Sequence, residues 1–203
     1  MRVRPVGADG LLLEVDDPAA WFAELWRRRA KGEFAAVEIV PGATTVLLAG
    51  LDDATAAAEL FRSWPPPPAA DETTGDLVEV PVTFDGQDLF AVAAFWGTSE
   101  PEVVQQLTAI EFRVAFCGFV PGFAYLTGLP SELAVPRLET PRPRVPAGSV
   151  ALADAYAGIY PTASPGGWRL VGRTDVVLFD PPRDPPALLD PGTRVRFIER
   201  VTP

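Results

Sequence analysis

The sequence predicts a small α+β domain followed by a mostly β domain of barrel or sandwich type. Three observations carry this. Helical and strand-like patterns alternate over the first 64 residues. Trp64 is followed by four consecutive prolines, Pro65 to Pro68. Fourteen of the 23 prolines lie after Gly118, which leaves little room for helix in the C-terminal half.

Leu11 to Val15 reads as a strand, and Asp17-Pro18 supplies an N-cap with proline at the first helical position. The helix runs to about Lys31, with Trp21, Phe22, Leu25 and Trp26 on one apolar stripe. Ala36–Val40 and Thr44–Ala49 are rich in Val, Ile, Leu and Thr and flank a Pro41-Gly42 turn, so they read as paired strands. Asp52–Arg62 reads as a second helix. The βαββα layout defines a domain over residues 1–64. Residues 65–76, in which the prolines are followed by AADETTGD, read as a semi-rigid acidic linker.

The second domain spans residues 77–203. Leu77–Phe84 is a strand, Asp85-Gly86 a turn, and Asp88–Trp96 an apolar run open to either assignment. Ser99 with Glu102 makes a capping box for a short helix to about Thr108. Phe112–Cys117, Asp175–Phe179 and Thr193–Ile198 read as further strands. Between them, residues 118 to 174 carry repeated Pro-Gly, Pro-Ala-Gly and Pro-Gly-Gly steps, which point to a loop path rather than regular elements.

Composition excludes several functions. The formal net charge is -10, the 16 arginines are scattered, and Arg27 to Arg29 form the sole basic run, read as a solvated helix face. Neither nucleic acid nor an anionic membrane fits such a chain. There is no histidine, so no Ser-His-Asp or Cys-His arrangement can form. Cys117 is the only cysteine and reads as a small buried hydrophobe. No metal site is expected. Lys31 is the only lysine and no P-loop is present, so ATP is not bound by this chain alone in the standard way. No export signal or membrane-length apolar run is evident, which gives a cytoplasmic expectation.

The residues best suited to a ligand gather in the central stretch. Phe119, Pro121, Phe123, Tyr125, Pro146, Tyr160 and Trp168 are candidate cleft-lining residues. Arg137, Arg142 and Arg173 offer forked donors for a carboxylate or phosphate, as does Arg144. Backbone N–H groups at Gly148, Gly166 and Gly167 can form an anion nest beside them. Ser149 is read as a hydrogen-bonding loop residue, because nothing is available to activate it as a nucleophile. Asp85, Asp88 and Asp154 are candidate bases or Mg²⁺ ligands whose mutual geometry the sequence leaves open. No catalytic residue is assigned.

The runs GFVPGFAYLTGLP, PRPRVPAGSVALA and YPTASPGGWRLVGRT, with VEVPVTFDGQDLFAVA and EFRVAFCGF before them, closely resemble the signature of the 5-oxoprolinase B-subunit family. That family is also called allophanate hydrolase subunit 1 or the KipI-type kinase inhibitor family. The resemblance covers residues 77 to 200 well and the first 65 in layout. It implies a cyclophilin-like barrel, a carboxyltransferase domain of the allophanate hydrolase subunit 1 type, for residues 77–203. It further implies one component of an ATP-dependent 5-oxoprolinase, inactive alone, that works with a homologous C-subunit barrel and with the A subunit. ATP would be shared with those partners, and the substrate would be a small carboxylate or lactam. The alternative it offers is a non-catalytic inhibitor of a sensor histidine kinase. Two departures stand out: Leu107 occupies the place of a usual histidine, and Asp154-Ala155 that of a glycine-containing turn.

Overall fold

The structure, a computed structural model, describes residues 1–70 and 74–200 of the 203. The acidic half of the expected linker falls largely at 71–73, outside the described residues. Two compact units divide between Thr74 and Gly75.

In the first unit, β1 (Arg2–Val6), β2 (Gly10–Glu14), β3 (Glu38–Pro41) and β4 (Thr45–Ala49) form an antiparallel sheet in the order β1-β2-β4-β3. Helices α1 (Pro18–Ala30) and α2 (Ala54–Arg62) pack on it. The layout is thus ββαββα, with one strand more than expected. β1 escapes sequence reading because only Val3 of RVRPV is buried and Pro5 cannot extend a ladder, features of an edge strand. Asp17 caps α1 as expected, its Oδ1 accepting from Ala20 N at 2.9 Å, and Asp53 caps α2 through Thr55 and Ala56. Trp21 and Leu25 enter the core with Leu11, Leu13, Val46, Leu48 and Phe61, whereas Trp26 stays exposed under Arg29, whose guanidinium lies 4.7 Å from its ring. The basic run is therefore not simply solvated: Arg27 and Arg28 both bind Glu24, and Arg28 lies 4.1 Å over the Trp64 ring.

The second unit is mostly β. Strands β5 (Leu77–Val82), β6 (Glu111–Cys117), β7 (Ala124–Thr127), β9 (Ser149–Ala153), β10 (Tyr156–Ile159), β12 (Arg169–Arg173) and β13 (Arg194–Glu199) make a seven-stranded sheet in the order β12-β9-β10-β7-β6-β13-β5. Its ends nearly close into a barrel. Thr83, just beyond β5, exchanges backbone bonds with Arg173 at 2.8 and 2.9 Å, and Gly86 and Asp88 continue along β12 by donating to Val171 and Leu170. A separate ribbon pairs β8 (Arg142–Val145) with β11 (Ser164–Gly166). The ambiguous run becomes helix α3 (Leu89–Trp96), ended by Gly97 in the left-handed region, and α4 (Glu100–Ala109) begins at the expected Ser99 and Glu102 capping box. Both helices bury apolar faces in the barrel core, and Leu107 is fully buried there. Position 107 is therefore a packing position.

Two expectations are corrected. The central stretch is not a loop path: it holds six strands, β7 to β12. Its prolines fall in turns and in the short β8–β11 ribbon, while SVALA is a wholly buried strand. Conversely, 175–179 is not a strand. Among the described residues its pairing is confined to one bridge, Phe179 to Ala187, held by Asp180 N to Pro186 O and Leu188 N to Leu178 O.

Candidate functional site

The aromatic residues of the central stretch converge because neighbouring strands and turns aim them at one another. Phe116 on β6 stands opposite Tyr125 on β7, and the rings stack with centroids 4.4 Å apart. Tyr125 also meets Tyr156, Phe123 and Trp168 edge-on, and Phe123 meets Tyr160 and Trp168 at 5.3 and 5.4 Å. Phe119 completes this seven-ring layer through contacts to Phe123 and Tyr160.

Burial sorts these rings. Phe123, Tyr160 and Trp168 are packed solid with Val145, Ala151, Ala153 and Leu170, so they are walls of a small core rather than lining of an open cleft. Tyr125 is half-buried, Pro121 and Pro146 are exposed, and Phe119 is 58% exposed. Of the expected lining residues, Phe119 presents an aromatic face to solvent. It does so with φ at 67°, in a turn strapped by Gly118 N to Phe123 O and Phe123 N to Val120 O. Phe116 and Tyr156 were missed by sequence reasoning. The cross-strand register that pairs Phe116 with Tyr125 is the signal that finds them.

The three glycines expected to form an anion nest sit in different settings. Gly148 has φ at 78°, but its N–H donates to Tyr160 O at 2.7 Å, and a Cβ there would stand 2.2 Å from Thr174 O. Gly166 lies in β11, where a Cβ would meet the Tyr160 hydroxyl at 2.2 Å. Gly167 accepts from Leu138 N through its carbonyl. Gly148 and Gly166 permit close packing, whereas a Cβ at Gly167 would meet nothing nearer than Leu138 O at 3.6 Å. Ser149 is buried in β9, opposite Arg173, its backbone N–H directed at Pro146 O and its carbonyl accepting from Tyr160 N.

The three candidate aspartates and three of the candidate arginines turn out to be partners. Arg142 Nη2 donates to both Asp88 oxygens at 2.7 and 2.8 Å, and Nη1 to the Trp168 carbonyl at 3.2 Å. With the Gln87 amide oriented to present its oxygen, Arg142 Nε donates to it at 2.5 Å. Asp88 in turn accepts from Leu170 N at 2.7 Å. Arg142 is thus committed on every nitrogen, tying the ribbon to α3 and β12. Arg173 binds Asp85 at 2.9 Å beside the barrel seam, with both side chains well exposed. Arg137 and Asp154 are further apart, at 3.6 Å, and the Arg137 guanidinium lies 5.8 Å from the Trp168 ring. Arg144 is exposed and makes no ion pair among the described residues. Burial raises the Tyr160 hydroxyl above the usual phenol range, opposed by its hydrogen bond with the Trp168 backbone and the charges of Arg137 and Arg142.

Cys117 lies apart from this layer's polar groups, its Sγ 3.4 Å from Leu189 O, and burial pushes its thiol up to about 11. Among the described residues no group of three or more Cys, Asp or Glu side chains is placed to hold a metal ion. No helix among them is long and apolar enough to cross a membrane.

Residues 1–189 match the family model of the carboxyltransferase domain, subdomain C and D. The 5-oxoprolinase B subunit of Escherichia coli O157:H7 is 40% identical over 203 residues, covering 95% of this chain and 93% of that protein. That of Bacillus subtilis (strain 168) is 42% identical over 130 residues, covering 63% and 54%. Among solved structures, TTHA0988 superposes with a TM-score of 0.78 at 34% identity over 100% of this chain, which spans only 41% of that longer polypeptide. The paired strands, the buried SVALA run and the Gly-Gly-Trp segment thus sit in a chain matched along nearly its whole length, and the chain belongs to the 5-oxoprolinase B-subunit family.

Proposed function

We propose that this chain is the B subunit of an ATP-dependent 5-oxoprolinase, which opens the lactam of 5-oxo-L-proline to give L-glutamate. The observation that carries the reading is the 40% identity to an E. coli 5-oxoprolinase B subunit along nearly the whole of both chains. The same name on the other relatives favours the enzyme component over the kinase-inhibitor alternative. In this reading residues 77–203 are a cyclophilin-like barrel domain, preceded by the 65–76 linker and a domain over 1–64, and the protein works in the cytoplasm.

A lactam is a resonance-stabilised amide and opens slowly at neutral pH. Transfer of a phosphoryl group from ATP to the lactam oxygen makes the ring carbon electrophilic; water adds there, the ring C–N bond breaks as the nitrogen takes up a proton, and a second water hydrolyses the resulting acyl phosphate to L-glutamate and phosphate. The charge that develops needs arginine and amide donors held out of bulk water. Asp85, Asp88 and Asp154 each face an arginine, so the reading assigns this chain recognition of substrate. Phosphoryl transfer and water attack are left to surfaces completed by a C-subunit barrel and the A subunit. ATP is shared with those partners.

The test is co-expression with the candidate C and A subunits, followed by measurement of ADP and glutamate released from 5-oxo-L-proline. ATP-dependent glutamate formation is expected. A folded, co-purifying complex without turnover would remove the reading.

A further inference from the structure

Four arginines were candidates for holding an anion, and the structure separates them. Arg142 is saturated by Asp88, Gln87 and the Trp168 carbonyl. Arg173 is tied to Asp85 at 2.9 Å, on backbone that closes the barrel. Arg144 makes no cation–π contact among the described residues. Arg137 differs from all three. Its main chain is pinned on both sides: Val135 and Asp154 exchange backbone bonds at 3.1 and 2.7 Å, Leu138 N donates to Gly167 O at 2.7 Å, and Pro136 O accepts from Arg169 Nε at 3.0 Å. Its side chain is 57% exposed, and its acidic neighbour Asp154 is 64% exposed and 3.6 Å away. A pair that long and wet is weak and readily exchanged for another carboxylate.

Backbone strain marks two points along this aromatic layer. Among the described residues, Phe119 at φ 67° and Asp154 at φ 52° are the non-glycine residues in the left-handed region. Both border the aromatic layer: Phe119 touches Tyr160, and Asp154 faces the arginine that lies over Trp168. Such conformations persist where the surroundings over-determine them, and they gather at ligand sites. A pinned but loosely paired guanidinium at the edge of an aromatic layer suits a small ring bearing a carboxylate.

We propose that Arg137 receives the carboxylate of the lactam substrate. The assignment rests on the 5-oxoprolinase reading. In the assembled complex, binding of 5-oxo-L-proline is compared by titration calorimetry with binding of 2-pyrrolidinone, the same ring without the carboxylate. The wild type should prefer 5-oxo-L-proline by about ten- to a hundredfold, the worth of one charge-assisted pair. Arg137→Gln should erase that preference and Arg144→Gln should keep it, with unchanged circular dichroism in both. Arg137→Lys should restore part of it. A preference that survives Arg137→Gln nearly undiminished, or that the wild type lacks, overturns the assignment. Failure of the 5-oxoprolinase reading shows separately, as absence of ATP-dependent glutamate release from the same wild-type complex.

Discussion

Replacing Arg142 by Met should destabilise the barrel unit. Asp88 is nearly buried, and Arg142 supplies both bonds along one edge of its carboxylate, with Leu170 N donating to it from β12. Removing one partner of a buried pair leaves an uncompensated charge at a cost of about 3 to 5 kcal/mol. Arg142 keeps 21% side-chain exposure, so water can partly reach the site and the low end, about 3 kcal/mol, is appropriate. For a unit of this size that corresponds to a fall in Tm of roughly 10 °C. Differential scanning calorimetry on the full chain measures it. Asp88→Asn combined with Arg142→Met should recover about 1 to 2 kcal/mol, since no charge is then stranded. An Arg142→Met midpoint indistinguishable from wild type would refute the structural role and return Arg142 to the ligand candidates.

Arg173→Ala should change stability by less than about 1 kcal/mol, because both partners of its pair are exposed; urea titration checks this, and a larger loss would mean the barrel seam depends on the side chain. Gly166→Val should destabilise by several kcal/mol, on the order of a strained core substitution, since its Cβ would collide with the buried Tyr160 hydroxyl; a wild-type Tm in this variant would contradict the packing described. The bonds from Arg27 and Arg28 hold the Glu24 carboxyl down to about 2, from 4.5. A depressed folded-state pKa gives stability that is present above the unfolded value and lost as pH falls through the folded one. Glu24→Gln should therefore weaken the protein at neutral pH, and the difference from wild type should narrow in Tm measurements as pH falls from 4.5 to about 2. Cys117, half-buried and pushed up to about 11, should react with a thiol reagent at mildly alkaline pH more slowly than a free thiol, because little of it is thiolate; immediate full labelling of native protein would argue otherwise.

Local chemistry made much of the fold legible. Asp17-Pro18 and the Ser99–Glu102 box announced two helix starts because a cap is a contact between near neighbours in sequence, and the alternation in 194–198 announced β13 for a similar reason. What escaped depended on partners remote in sequence. The edge strand β1 shows one buried residue, and 175–179 reads as a strand although, among the described residues, it makes a single bridge, Phe179 to Ala187. The central stretch was read by its punctuation, although the apolar run Ser149–Ala153 between Gly148 and Asp154 is itself a buried-strand signal. For the site, residue types were found but not their pairing. Nothing local says that Asp88 and Arg142, 54 positions apart, neutralise each other, nor that Gly148 spends its N–H on Tyr160. The aromatic residues were expected to line a cleft, and burial makes Phe123, Tyr160 and Trp168 core while leaving Phe119 at the surface.

The central claim, that this chain is a necessary part of an ATP-dependent lactam hydrolase, is tested most directly by omission. The purified candidate A and C subunits are incubated with ATP and 5-oxo-L-proline, and glutamate is followed as this chain is titrated in. Glutamate release should be absent without it, rise with its concentration and level off at a fixed stoichiometry. An equal rate with and without the chain would contradict the account.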